Sequence, residues 1–141
     1  MCISFSVQFD PKSIHVSKHG SITGVLFWKL DKYCFPDLLW NDFVVVISCW
    51  WLSAYSKIKL KGDCEYFRWM DGPYYGTVCL LDDSLLNITL YDDHDGSITC
   101  EKKVDRDKFY DSLMSSALSV YESCKHIDNK DVLLLRSLLG G

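Results

Sequence analysis

From its third residue the chain alternates apolar and polar positions. Ile3, Phe5, Val7 and Phe9 fall on one side, Ser4, Ser6 and Gln8 on the other, which is the period of a strand with one buried face. Asp10-Pro11-Lys12 turns the chain, since Pro presets one turn dihedral and Asp bonds its own backbone. Residues 13–17 predict a short second strand with Ile14 and Val16 on one side. After a turn at residues 18–21, residues 22–30 predict a third. The period then changes. Between residues 40 and 60, Phe43, Ile47, Trp50, Trp51, Ala54 and Ile58 recur at helical spacing, which predicts a buried helix. Asn41 or Asp42 is placed to cap it and Gly62 to stop it. The β-branched run Val44-Val45-Val46-Ile47 also suits a strand. Length decides for the helix: this stretch contains no turn signal, and strands rarely exceed ~10 residues.

The second half returns to period two. Residues 64–70 set Tyr66, Arg68 and Met70 against Glu65, Phe67 and Trp69, so a strand carrying aromatics on both faces, and hence covered on both, is expected. Asp71-Gly72-Pro73 is a strong turn signal. Residues 74–81 predict the returning strand, Asp82-Asp83-Ser84 the next turn, and Leu86, Ile88 and Leu90 the buried face of another strand. Beyond the acidic turn Asp92-Asp93-His94-Asp95-Gly96, Ile98, Cys100 and Val104 mark one more. Asp105 or Asp107 then caps a helix whose apolar face runs through Phe109, Leu113, Ala117, Val120, Tyr121 and Cys124. A last helix, capped near Asp128, extends to Leu139. The expected fold is α+β: an antiparallel sheet of about seven short strands, a central Trp-rich helix and two C-terminal helices gathered on one face. At 141 residues the chain is expected to form a single domain over residues 1–141.

Composition narrows the partners. A 48% hydrophobic and 14% aromatic content fills a core without staples. Five Trp and eight Tyr exceed what a minimal core needs, and such side chains also anchor interfaces. A net charge of −4 argues against nucleic acid as a partner, because its binders carry a basic stripe. The same charge suits a basic protein partner. The seven cysteines are odd in number and form no CxxC pair; Cys34, Cys49, Cys64 and Cys79 fall fifteen apart with no repeat between them. Reduced, buried thiols in a reducing compartment are therefore expected. The start of the chain lacks a basic region followed by an apolar run, and no apolar run reaches the ~20 residues of a membrane span. A soluble cytoplasmic protein is expected.

Candidate chemistry is sparse. The acidic turn is superficially a calcium loop, but aligning Asp93, Asp95 and Gly96 with its third, fifth and sixth positions puts Tyr91 first and Lys102 last, where an oxygen ligand and a bidentate Glu are needed. His15, His19, His94 and His126 are scattered and never at helical i, i+4 spacing. Cys34 lies on a predicted loop, where a reactive thiol is most plausible, with no histidine placed beside it. GxSxG, P-loop and GxGxxG patterns are absent. No catalytic residue, metal or cofactor is expected. Binding candidates are Asp82, Asp83, Asp92, Asp93 and Asp95, as docking points for a basic partner, and Arg68, Trp69 and Tyr74 in the dense segment 67–75. Trp, Arg and Tyr dominate binding hot spots. The competing role for those rings is to wall the central helix, with Arg68 stacked on an aromatic.

Phe35-Pro36-Asp37, Trp40-Asn41-Asp42-Phe43, Trp50-Trp51-Leu52, the segment from Phe67 to Tyr74 and Lys108-Phe109-Tyr110-Asp111-Ser112-Leu113 together resemble small bacterial immunity proteins of polymorphic-toxin and contact-dependent growth-inhibition systems. The likeness spans roughly residues 35–123 and is one of general cast. Such proteins share a task and not a fold, so no binding residue is carried over from them. What the resemblance implies is a cytoplasmic protein that binds a cognate toxin domain and blocks it. Such toxins are often basic nucleases, against which acidic side chains stand where phosphates would lie. The alternatives are a small enzyme or ligand-binding domain with a site assembled from distant residues, or a structural interaction subunit.

Overall fold

The computed structural model describes residues 2–140. Its strands are β1 (Phe5–Phe9), β2 (His15–Val16), β3 (Ile22–Leu30), β4 (Tyr33–Phe35), β5 (Asn41–Asp42), β6 (Cys64–Arg68), β7 (Tyr74–Asp82), β8 (Leu85–Asp92) and β9 (Ser97–Asp105). Its helices are α1 (Val44–Ser56), α2 (Arg106–Cys124) and α3 (Lys130–Leu138). The class is α+β, as the sequence predicts, but the described residues form nine strands in two antiparallel sheets where about seven strands in one were expected.

The first sheet is built round β3. β1 pairs with Leu26 to Leu30 and β2 with Ile22 and Thr23. β4 pairs with Trp28 to Leu30 and β5 with Gly24 and Val25. Since β1 and β4 share Trp28 to Leu30, they flank β3 on opposite edges. β4 falls on the predicted loop that carries Cys34, and β5 on the two residues expected to cap the central helix. They are three and two residues long, too short to show any alternation, and they form because the second edge of β3 needs partners for its amides and carbonyls. The second sheet is a meander in the order β6-β7-β8-β9. Ile3 joins the two, pairing with Val104 and donating its amide to the Lys103 carbonyl at 3.1 Å.

Both sheets close with α1 and α2 on one core centred on Trp28, which is fully buried. The rings of Phe5, Trp51, Phe67, Trp69 and Phe109 lie 5.0 to 5.8 Å from it, mostly edge to face, the arrangement ring quadrupoles favour. The Trp28 indole N–H is buried there with no hydrogen-bond partner. α3 packs on α1 and α2.

The helix ends test the expected caps. α2 is capped by Asp105, whose carboxylate accepts the Lys108 amide at 2.9 Å. α3 is capped by Asn129 instead of Asp128, accepting from the amides of Asp131 and Val132. α1 departs furthest. It begins at Val44, with Phe43 as an N-cap that makes no side-chain bond, because Asn41 and Asp42 are taken by β5. Its buried face runs through Val44, Val45, Ile47, Ser48, Cys49, Trp51, Leu52 and Ala54. Trp50, expected on that stripe, is 42% exposed. β6 is covered on one side only: Phe67 is buried, whereas Tyr66 and Arg68 are exposed.

The expectation of reduced, buried thiols is also corrected. Cys64 and Cys79 are register partners in the β6–β7 hairpin and are joined by a disulfide. The fifteen-residue spacing between these two is the hairpin's own reach. Of the other cysteines, Cys49 and Cys124 are buried, Cys34 and Cys100 half-buried and Cys2 exposed.

Candidate docking face on the four-stranded sheet

Alternation gives the meander two unlike faces. Phe67, Val78, Leu80, Leu86, Ile88, Leu90 and Val104 point to the core and are buried. Register fixes what stands on the other face. Arg68, Tyr75, Tyr91 and Ile98 are successive cross-strand partners from β6 to β9, and Tyr66, Thr77, Thr89 and Glu101 form the next row. Cys64, Cys79, Asn87 and Lys103 form the third. Among the described residues no helix packs over these rows, and Tyr66 and Ile98 are each 58% exposed.

The first row is a ladder of stacked groups. The Tyr75 and Tyr91 rings are 4.7 Å apart and nearly parallel, at 11°. The Arg68 guanidinium lies 5.0 Å from the Tyr66 ring centroid and 5.2 Å from that of Tyr75, within the range of a cation–π contact. The competing expectation for Arg68, stacking on an aromatic, is thus met, and it is met on the open face. Holding each ring against its neighbour removes side-chain freedom before any partner arrives, which lowers the ordering cost of docking.

The acidic turn borders this ladder. The Asp93 amide donates to the Pro73 carbonyl at 2.8 Å, fastening the β8–β9 turn to the β6–β7 turn. Asp92 accepts the His94 amide at 3.0 Å, and Asp95 accepts that of Ser97 at 3.0 Å. The Ser97 hydroxyl and amide hold the Asp95 carboxyl below the ordinary value, so it stays ionised. Tyr75's phenol is raised, by burial first and then by the Asp93 charge. Asp71, exposed in the neighbouring turn, adds a fourth carboxylate to this end.

The remaining candidates stand off the ladder. Trp69 is 3% exposed, its indole N–H donating to the Leu26 carbonyl at 3.3 Å; it belongs to the core, out of a partner's reach. Tyr74 is half-buried, edge-on to Trp40 at 5.2 Å and Phe35 at 5.7 Å, and supports the turn from inside. Asp82 and Asp83 sit at the opposite end of β8, eight residues and roughly 25 Å away. There Asp82 accepts from the Ser84 amide and hydroxyl, which lower its carboxyl, and the Arg106 guanidinium reaches the Asp83 carbonyl at 3.5 Å. The structure therefore gathers Arg68, Asp92, Asp93 and Asp95, with Tyr74 beside them as the register partner of Asp92, whereas it buries Trp69 in the core and places Asp82 and Asp83 at the far end of β8.

Sequence reasoning missed Tyr66, Tyr75, Tyr91 and Ile98 as one surface. The signal was their place on the polar side of each alternation, but only the register aligns them. No group of three or more His, Cys, Asp or Glu side chains placed to hold a metal ion occurs among the described residues. No helix among them is long and apolar enough to cross a membrane. The geometry defines an α+β domain with one open, aromatic, acid-rimmed sheet face. The chain matches no family model, no curated protein and no solved structure.

Proposed function

We propose that this chain is an inhibitory binding protein of the immunity type, which docks a basic toxin domain through the outward face of β6–β9 and blocks it. One observation carries the reading: a pre-stacked ladder of Arg68, Tyr75 and Tyr91 faces outward, and among the described residues no helix packs over it. Aromatic side chains and arginine held rigid at the centre of a patch are what interfaces use as anchors. The carboxylates of Asp71, Asp92, Asp93 and Asp95 at one end select for positive charge, because complementary potentials speed encounter and mismatched ones repel. The likeness to immunity proteins supplies the partner class, and a cytoplasmic location goes with it.

Co-expression tests the function itself. Cells carrying the toxin domain encoded beside this gene should survive when the chain is present, and the two should co-purify. Continued killing with both proteins at full level, or no co-purification, ends the immunity reading.

A further inference from the structure

We propose that Cys64 and Cys79 are a reversible thiol–disulfide couple, with low-molecular-weight thiols as co-reactant, that sets how firmly β6 is held on the docking face. The consequence for docking rests on the function proposed above; the chemistry rests on where the sulfurs lie. Cys64 is exposed on an edge strand that pairs, among the described residues, with β7 alone, and the pair stands on the outward face one row from Tyr66 and Thr77. A thiolate therefore has an open approach, which thiol–disulfide exchange requires. The buried thiols are unlike it: Cys49 is pushed up to about 11 by burial first and then by Asp131.

The exchange balances in two steps. A thiolate attacks the Cys64 sulfur, the Cys64–Cys79 bond breaks, and Cys79 leaves as a thiolate that takes a proton. A second thiol attacks the mixed disulfide, releasing Cys64 as a thiol and a disulfide of the two small thiols. Two electrons pass to the protein. The hairpin keeps its register afterwards, because the Gly62 amide donates to the Leu80 carbonyl, the Leu80 amide donates to that of Asp63, and the Trp51 indole donates to that of Arg68. What loosens is the stretch between these anchors, which carries Tyr66.

The test uses the full chain alone. Purified without reductant and denatured, it should show five titratable thiols, and seven after dithiothreitol. Hydrogen exchange at the Glu65 and Tyr66 amides should quicken several-fold on reduction, with β8 unchanged. Oxidised glutathione added to the reduced chain should restore five thiols, and the Cys79→Ser variant should retain a glutathione adduct on Cys64 by peptide mass. Seven thiols without reductant, no adduct on that variant, or β6 exchange indifferent to reduction would overturn the proposal. None of these readouts involves the toxin domain, so failure of the couple and failure of the docking reading are told apart.

Discussion

Trp51 is 1% exposed, donates its indole N–H to the Arg68 carbonyl at 2.9 Å, and meets the rings of Trp28 and Trp69. Truncation to Ala should cost about 3–5 kcal/mol by urea unfolding, whereas Trp50→Ala should cost about 1 kcal/mol or less. Helical spacing in the sequence found the helix but assigned both rings inward. α1 is apolar on nearly every side, so periodicity says little about which side is covered. Asp42 is the other decisive residue. At 1% exposed, its carboxyl accepts from the Trp40 indole and the amides of Phe43 and Asp71. Burial raises its pKa above 3.8, with those hydrogen bonds opposing the rise. The folded chain thus binds this proton more tightly than the unfolded one, so Asp42's contribution to stability is fullest in acid and falls as pH rises through its raised value. The stability of the native chain relative to Asp42→Asn should therefore decline between pH 3.8 and neutrality, measured by denaturant unfolding in steps. An advantage that grows with pH would contradict the assignment.

The second sheet was legible as elements because each hairpin pairs clear alternation with a turn signal: Asp71-Gly72-Pro73, Asp82-Asp83-Ser84 and Asp92 to Gly96. β4 and β5 were not, since two or three residues carry no period. Register was also hidden, and with it the ladder and the disulfide. Two predictions belong at this scale. On β7, Gly76 faces Trp28 and Leu90, and an added Cβ would stand 2.9 Å from a Leu90 methyl; Gly76→Ala should destabilise by about 1–3 kcal/mol through overpacking. Reduction of the Cys64–Cys79 bond, which closes a fifteen-residue separation, should lower the unfolding free energy by up to about 3 kcal/mol. A midpoint unchanged by dithiothreitol would show that the bond adds nothing to the hairpin.

For the whole molecule, a net charge of −4 is less informative than its distribution. Of the acidic candidates the sequence offered, those of one turn border the ladder and those of the other lie at the far end of β8. Asp92, Asp93 and Asp95 changed together to Asn should slow association with a basic toxin domain most at low salt, as screening shortens the reach of charge. Rapid-mixing rates at two ionic strengths check this, and a rate indifferent to all three would take the turn out of the interface. The most direct measurement is the dissociation constant of the proposed toxin-domain complex for Tyr75→Ala with Tyr91→Ala, beside Leu118→Ala with Leu133→Ala, whose leucines are exposed on α2 and α3. Docking through the sheet predicts that the tyrosine pair weakens binding at least about thirtyfold, or about 2 kcal/mol, while the leucine pair changes it little. Wild-type affinity from the tyrosine pair, with binding lost from the leucine pair, would place the interface on the helices and contradict the account.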